Sequence, residues 1–555
     1  MANSEKVWLT SYDENIPAHT DMPHLSLKDV FVNSMNDFRE KTAYYFLGAA
    51  FTFGDLLEQS GRFASALRNE GVCPGDVVAV NLPNIPQYLV AITGALRAGC
   101  VVSGLAPLLA PDEMAFQLND SGARVLITLD VLYEPKVKPI ADRVPKTEIV
   151  IVTGSGDLMP DAPLQSAVDP LPGKNVFSFL PFMMDSPPEP IPVELDPEDN
   201  CFMQYTGGTT GPPKGAILTH GNMVSNIHQL ATWLHFERGK GGWLSAFPMF
   251  HSAGLFVACC TIGFGQSQVL IPDPRNLELV TGGIRAHRPT VIGNVPSLTT
   301  MLLADDTFKQ LDFSSVDYWL SGAAPFPVEA ISTLEGAIGK GKLVELWGMT
   351  ETSPMVTVNP ARGIKKAGSV GLALPNTDVK IVDLNDGTTE MATGEEGEII
   401  VCGPQVMRGY LNKPEETRQA LRKHDGRLWM HTGDVGRMDD QGYLYVVDRA
   451  KDMIIVGGYK VFSSEVENKF YKHPAVGACA LVGLPNPDRP DSEIVKLVVQ
   501  KSDAYNQKTD DEIKTELIAF ARETMAPYKV PKIVEITDAI PMTSVGKMDK
   551  KVLRK

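Results

Sequence analysis

The first 130 residues alternate between two hydrophobic periods. From Phe53 to Arg68 apolar side chains recur at helical spacing, with Leu56, Leu57, Phe63 and Leu67 on one side. Short apolar runs predict strands at 77–82, 101–102 and 125–127, and a second helical pattern covers 85–98. Strands that alternate with helices predict parallel βαβ units and an α/β layer fold.

The same patterns continue along the rest of the chain. Helices are predicted at 221–234 and 510–523, and strands at 379–382, 398–401, 478–482 and 495–499. Residues 154–200 are rich in Pro, Asp and Ser without sustained periodicity, and we interpret them as a long surface connection.

The longest weakly polar run, 253–271, contains two glycines, two glutamines and a serine near its end. A membrane span needs roughly 20 predominantly apolar residues, so this run predicts a buried core segment and no transmembrane helix.

Length and composition limit the number of domains and the classes of function that the chain can have. A chain of 555 residues exceeds one ordinary core, so two or more domains are expected. The net charge of −16 disfavours sequence-independent nucleic-acid binding, which depends on clustered Lys and Arg. The N-terminus lacks the pattern of a signal peptide, and seven scattered cysteines lack metal-ligand spacing, which predicts a cytoplasmic protein. The oligomeric state, monomer or homodimer, stays open.

One stretch has the composition of a phosphate-binding loop. It reads Tyr205-Thr206-Gly207-Gly208-Thr209-Thr210-Gly211-Pro212-Pro213-Lys214-Gly215. Glycines allow backbone N–H groups to form a concave anion site, to which threonine hydroxyls and a lysine add donors. The P-loop of NTPases requires Gly-Lys-Ser/Thr at its end, and this string does not have it. From composition alone, a Gly/Pro-rich surface turn remains an alternative.

This string resembles the phosphate loop of the adenylate-forming superfamily, which includes acyl-CoA and aryl-CoA synthetases, beetle luciferases and the adenylation domains of peptide synthetases. Its members activate a carboxylate with ATP to an acyl-AMP and pass the acyl group to a thiol. The resemblance implies that Thr206, Gly207, Gly208, Thr209, Thr210, Gly211 and Lys214 bind the phosphates.

A second block, 246–254, is similar to the segment of the family that lines the carboxylate pocket. The resemblance implies that His251 places the substrate carboxylate. A lone histidine between aromatic residues is otherwise more often a satisfied core residue. The apolar residues 255–259 that follow would form a wall of the acyl pocket.

Two further blocks, 321–325 and 345–351, resemble nucleotide-binding segments of the family. The resemblance of the first implies that Gly322, Ala323 and Ala324 lie against adenine. The resemblance of the second implies nucleotide contacts from Glu345, Trp347 and Gly348, an α-phosphate contact from Thr350, and Mg²⁺ ligation by Glu351. The family usually has tyrosine where this chain has Trp347; an indole can also stack on a base.

The last blocks resemble the region where a small C-terminal domain begins. They imply that Asp434 accepts from the ribose hydroxyls, that Arg449 contacts ribose or phosphate, and that Lys451 is a hinge. Gly457 and Gly458 would line the route of the thiol, and Lys547 would bridge the α-phosphate and the attacking carboxylate. Without the resemblance, these residues would pass for turn residues and solvated charges.

Taken together, the resemblance covers nearly the whole chain, with its blocks in the expected order. It implies an α/β fold with a large N-terminal domain of several subdomains (1–449), built from parallel-type βαβ layers, and a small mobile α+β C-terminal domain (450–555). The implied activity is that of an AMP-forming acyl-CoA synthetase that uses ATP, Mg²⁺ and CoA.

The acid is expected to be a medium- or long-chain fatty acid, because no charged residue accompanies the apolar wall. An aryl or alicyclic acid is the runner-up. Loading of a separate carrier protein, a luciferase-type oxidation, or a regulatory nucleotide binder remain alternatives. The sequence identifies no general base for the thiol step.

Overall fold

The computed structural model describes residues 6–162, 168–206, 212–324, 326–457, 459–487, 489, 492–542 and 548–554, with the backbone alone for Glu329. Four main sheets organise these residues. We name them sheets A to D in the order in which they are described.

Sheet A has eight strands, and six of them are parallel neighbours. In spatial order the strands are Gly409–Tyr410, Lys214–Thr219, Asn200–Thr206, Val101–Gly104, Val77–Asn81, Val125–Leu129, Ile149–Thr153 and Asn175–Ser178. The first two are antiparallel additions at one edge. The strands at the centre are almost wholly apolar and buried, as expected for parallel strands covered on both faces.

Sheet B has nine strands with a parallel centre and antiparallel edges. In spatial order they are Leu372–Ala373, Met355–Val358, Leu343–Gly348, Tyr318–Ser321, Val291–Asn294, Gly242–Ser245, Ser267–Leu270, Thr42–Phe46 and Ala49–Thr52. Because the central strands are parallel, the loops that follow Tyr318–Ser321 and Leu343–Gly348 leave the sheet at the same edge.

Sheet C is antiparallel and follows sheet B in the chain. Its strands are Asp378–Val382, Gly397–Cys402, Arg427–Met438, Leu421–His424 and Leu444–Arg449. Sheet D lies in the last part of the chain, after a short hairpin of Ile454–Val456 and Tyr459–Val461. It consists of Val476–Pro485, Glu493–Lys501 and Ile533–Thr537.

Helices cover the sheets and connect their strands. The α-helices of six residues or more are Leu27–Asp37, Phe53–Asn69, Pro86–Arg97, Pro111–Ser121, Phe179–Met184, His220–Trp233, Ser252–Phe264, Leu277–His287, Pro296–Ala304, Val328–Ile338, Pro414–Ala420, Ser463–Phe470 and Asp510–Thr524. Local sequence explains their starts: Thr52, Thr219 and Thr509 each form a capping box with the residue three positions later.

These elements confirm the predicted fold class, α/β layers with a large N-terminal part and a small C-terminal α+β part. The predicted helices near 53–68, 85–98, 221–234 and 510–523 are present to within one or two residues. The boundary after Arg449 and the hinge at Lys451 stay predictions.

The interpretation of 154–200 as a long surface connection is wrong in part. Asn175–Ser178 adds a parallel strand to the edge of sheet A, and the helix Phe179–Met184 follows it. Phe179, Phe182 and Met183 are buried in the main core. Strand and helix are each too short to show a period in the sequence, which is why the pattern missed them.

The run 253–271 is buried core, as predicted: it forms the helix Ser252–Phe264 and the strand Ser267–Leu270. Within the described ranges, no helix has both the length and the apolar character that crossing a membrane requires.

Candidate active site

The predicted phosphate loop leaves sheet A between two antiparallel strands. Thr206 and Lys214 are direct partners at the point where Asn200–Thr206 and Lys214–Thr219 meet, and the Thr206 hydroxyl donates to the Lys214 carbonyl (3.4 Å). Gly207, Gly208, Thr209, Thr210 and Gly211 lie outside the described residues. The strand pairing therefore places Lys214 at the base of the loop.

Lys214 and Glu351 meet on the side chain of Tyr410. The Tyr410 hydroxyl donates to Glu351 Oε1 at 2.6 Å, and the Lys214 ammonium lies 5.1 Å from the centre of the Tyr410 ring. Burial and the neighbouring Glu351 carboxylate raise the pKa of Tyr410, which keeps its hydroxyl protonated as a donor. Sequence analysis gave Tyr410 no role.

Thr350 and Glu351 stand on a single 3₁₀ turn, Thr350–Thr352, directly after the strand Leu343–Gly348. Both side chains are buried. The Thr350 hydroxyl lies 3.1 Å from the hydroxyl of Ser252, the first residue of the helix Ser252–Phe264. This contact connects Thr350, the residue predicted to contact the α-phosphate, with the helix predicted to line the acyl pocket. The sequence analysis did not identify Ser252.

His251 is the N-cap of that same helix. Its Nδ1 accepts a hydrogen bond of 3.4 Å from the backbone N–H of Ala253, and the ring is half-buried. The helix behind it is buried on all sides except at Ala253, as expected for a helix without a polar face. His251 thus stands where an apolar element begins, one residue from Ser252 and its contact with Thr350.

Asp434 lies between two partners on neighbouring elements. Its Oδ2 accepts a 3.0 Å hydrogen bond from the indole nitrogen of Trp347. Arg449, its partner on the next strand of sheet C, brings Nε to 3.0 Å from Oδ1. The Oδ1 atom is buried, and no hydrogen bond of good geometry reaches it from the described residues. Asp434 therefore keeps one acceptor atom for a further donor.

Gly348 shows why this turn requires glycine. A Cβ added at Gly348 would come to 1.9 Å from the carbonyl oxygen of Pro354, so any side chain would force the turn apart. Gly322 is less constrained, because its Cβ would come closest to the end of the Leu346 side chain, Cδ1 at 2.5 Å, which can shift. Ala323 adopts a left-handed φ of 70°, and Ala324 is exposed at the end of this loop.

Glu345 lies beneath these loops, paired with Ser321 on the next strand. It is only 9% exposed, and burial raises the pKa of its carboxyl to about 7. A carboxylic acid that is partly protonated near neutral pH can donate as well as accept a hydrogen bond. Burial thus brings the pKa of Glu345 close to neutral pH.

The predicted hinge and thiol-route residues follow sheet C. Lys451 is exposed in a turn, next to Asp452, whose carboxylate accepts from Arg554 at 2.6 Å. Gly457 has a positive φ of 59° and donates its N–H to Ser492 Oγ at 2.9 Å. Gly458 and Lys547 lie outside the described residues.

The described site residues thus come from three sheets. Lys214 belongs to sheet A, Trp347, Thr350 and Glu351 to sheet B and the turn after it, and Asp434 and Arg449 to sheet C. Direct contacts join sheet A to the turn through Tyr410 and sheet B to sheet C through the Trp347–Asp434 bond.

Residues 31–411 match the model of the AMP-binding enzyme family, and residues 465–547 match that of the AMP-binding enzyme C-terminal domain. The chain belongs to the AMP-binding enzyme family. The predicted superfamily and the predicted enzyme class, an AMP-forming acyl-CoA ligase, are confirmed.

Individual relatives span nearly the full length. A long-chain-fatty-acid–CoA ligase of Bacillus subtilis (strain 168) is 38% identical, over 98% of this chain and 97% of that protein. A feruloyl-CoA synthase of Amycolatopsis sp is 36% identical, over 92% and 94% of the two chains. The crystal structure of the anthranilate CoA ligase AuaEII with anthranoyl-AMP superposes with a TM-score of 0.84 at 26% identity, covering 96% of this chain and 98% of that one.

Proposed function

We propose that the chain converts a long-chain fatty acid, ATP and CoA into acyl-CoA, AMP and pyrophosphate through an enzyme-bound acyl-AMP. The observation that carries the choice of acid is the buried apolar helix Ser252–Phe264, which begins beside Thr350. The similarity to a long-chain-fatty-acid–CoA ligase over the full chain supports the same choice. A medium-chain acid would use the same wall.

In the first half-reaction the carboxylate attacks the α-phosphorus of ATP and pyrophosphate leaves. Such a transfer needs positioning and charge neutralisation rather than a protein nucleophile. Lys214 and the loop 206–211 would bind the phosphates, the Thr350 hydroxyl would contact the α-phosphate, and His251 would place the carboxylate. Lys547 would bridge the two reacting groups.

Glu351 fits a divalent cation by its chemistry. Its carboxylate is buried, its hydrogen-bond partner Tyr410 is neutral, and no ion pair reaches it from the described part of the chain. A buried carboxylate without a cationic partner is costly, and hard oxygen ligands suit Mg²⁺. When bound, Mg²⁺ would neutralise charge on the phosphates. Glu351 would hold it beside Lys214.

The nucleoside would lie across the turn at Gly348. Oδ1 of Asp434 is ion-paired with Arg449 but accepts no hydrogen bond from the described residues, so it suits a ribose hydroxyl, while Trp347 and Arg449 fix the orientation of the carboxylate. Gly322, Ala323 and Ala324 would face the flat base, with Glu345 beneath it.

In the second half-reaction the CoA thiol attacks the acyl-AMP and AMP leaves. We propose that the C-terminal part, 450–555, rotates about Lys451 between the two halves. The rotation would replace Lys547 by the Gly457–Gly458 turn, whose small residues leave room for a pantetheine arm.

We also place the protein in the cytoplasm. All seven cysteines are free, and Cys100, Cys201, Cys259, Cys260 and Cys479 are buried, which suits a reducing compartment. Detection of the protein in a membrane or periplasmic fraction after cell fractionation would contradict this.

The proposed function is tested by pyrophosphate release with ATP and Mg²⁺ across fatty, aromatic and alicyclic acids, each with and without CoA. We expect CoA-dependent turnover that is fastest with long-chain fatty acids. Faster turnover with an aryl acid would favour the runner-up, to which the feruloyl-CoA synthase similarity points. A single burst of pyrophosphate that CoA does not change would indicate a carrier protein as acceptor.

A further inference from the structure

Tyr410 touches both of the charged groups that the proposed function assigns to the triphosphate. Its hydroxyl donates to Glu351 Oε1 at 2.6 Å, and its ring face lies 5.1 Å from the Lys214 ammonium. Tyr410 is therefore the one side chain described that contacts the proposed metal carboxylate and the proposed phosphate lysine together.

The backbone around Tyr410 is fixed to the same two elements. Gly409 and Tyr410 pair with Ile217 and Ala216, so they lie antiparallel beside the strand that Lys214 begins. The N–H of Met407 donates to the Glu351 carbonyl at 2.8 Å. The segment 407–411 thus ties the turn of Glu351 to the base of the phosphate loop.

A third bond closes the arrangement: the Tyr410 N–H donates to Thr417 Oγ1 at 2.9 Å. With backbone and hydroxyl both held, the ring has little freedom to rotate away from Lys214. A packing role alone would not require a hydroxyl directed at a buried carboxylate, since phenylalanine would fill the same space.

We propose that Tyr410 is a positioning residue for acyl-AMP formation, whose hydroxyl orients the Glu351 carboxylate toward the cation and whose ring holds Lys214 at the phosphate loop. The inference rests on the proposed function, and specifically on cation binding by Glu351. A neutral donor on one carboxylate oxygen fixes the side-chain rotamer and leaves the negative charge for the metal. A cation above an aromatic face is attracted by the ring quadrupole.

The two contacts can be separated by two variants. Tyr410→Phe keeps the ring and removes the hydroxyl, so it should affect Glu351 alone. Tyr410→Leu removes both contacts. Tyr445→Phe is the matched control, because its hydroxyl also donates to a carboxylate, Asp439 Oδ2 at 3.4 Å, and its ring also faces a cation, Arg437 at 4.3 Å.

The measurement is binding rather than turnover. Mn²⁺ binding to the full-length chain with a non-hydrolysable ATP analogue is followed by electron paramagnetic resonance, and binding of the metal-free analogue by calorimetry in EDTA. We expect Y410F to weaken Mn²⁺ binding about 10- to 100-fold and to leave metal-free binding unchanged. Y410L should weaken both, and Y445F neither.

Glu351→Gln separates the inference from the proposed function. If E351Q weakens Mn²⁺ binding and Y410F does not, the positioning role is overturned while the metal assignment stands. If E351Q binds Mn²⁺ like the wild type, the metal assignment fails and the inference fails with it. If Y410L does not fold, the comparison of Y410F with E351Q still decides the role of the hydroxyl.

Discussion

The indole nitrogen of Trp347 donates a hydrogen bond of 3.0 Å to Oδ2 of Asp434, across 87 residues of chain. The bond joins the end of a sheet B strand to the middle of a sheet C strand. Oδ1 of Asp434 forms an ion pair with Arg449 and accepts no hydrogen bond from the described residues, and we assign it as the acceptor for the proposed ribose. Trp347, which stands where the family usually has tyrosine, thus holds the Asp434 carboxylate in place.

Trp347→Phe removes this donor and keeps an aromatic ring. We expect kcat/KM for ATP to fall about 10- to 150-fold, because a hydrogen bond to a charged group contributes roughly 1.5–3 kcal/mol. The KM for the acid should not change. Trp233→Phe is the control: it also loses a buried indole hydrogen bond, to the Asn359 carbonyl, but in the core. W233F should lower the thermal midpoint without changing kcat/KM for ATP, and equal kinetic effects of the two variants would contradict the prediction.

Lys547→Ala should separate the two half-reactions. Loss of a cation that neutralises developing charge costs about 10²–10³-fold in rate at comparable sites, so acyl-AMP formation, measured as pyrophosphate release, should fall by that order. Thioester formation from supplied acyl-AMP should remain. Lys551→Ala, at an exposed lysine on the short helix Lys550–Leu553, should change neither half. Equal loss in both halves would remove the role assigned to Lys547.

Lys451→Pro tests the hinge. Proline restricts both its own φ and the conformation of the preceding residue, so it should hinder rotation. The N–H of Lys451 makes no hydrogen bond with any described residue, and the substitution therefore breaks none of these bonds. We expect the thioester half to slow more than acyl-AMP formation, measured separately under single-turnover conditions. Lys451→Ala should be close to wild type, and unchanged overall turnover of K451P would contradict a moving hinge.

Glu345→Gln should reduce the pH dependence of stability. Burial raises the pKa of Glu345 to about 7, above its value in the unfolded chain. The folded state therefore favours the protonated carboxyl, and stability falls as the pH rises from about 4.5 to about 7. The loss is at most about 3 kcal/mol, at 1.36 kcal/mol for each unit of pKa.

The glutamine cannot ionise, so E345Q should unfold at a higher temperature than the wild type at pH 8.5 and at a similar one at pH 5. The thermal midpoint without nucleotide is the measurement. Glu523→Gln, at an exposed helix position, should follow the wild-type curve at both pH values. A midpoint difference between E345Q and wild type that stays constant from pH 5 to 8.5 would contradict the assignment of burial as the cause.

Much of this protein could be predicted from consecutive residues. The helices near 53–69 and 510–524 and the central strands of sheet A show their period locally, and local period decides secondary structure where one face or both are buried. The ordered blocks between residues 205 and 547 identified the family, because in each block the characteristic glycines, hydroxyls and charges stand within a few residues of one another.

The tertiary structure determined the contacts between distant segments, which the hydrophobic period of the sequence does not predict. The order of strands in sheets A and B places distant segments side by side, and the edge strand Asn175–Ser178 joins sheet A without a pattern of its own. Contacts between different sheets bring Tyr410 to Glu351 and Trp347 to Asp434, 59 and 87 residues apart. Such contacts depend on how the sheets pack against one another, which is set by the whole core rather than by any local stretch. The sequence therefore determined the elements and the chemistry of the site, and the fold determined which side chains hold its charged groups in place.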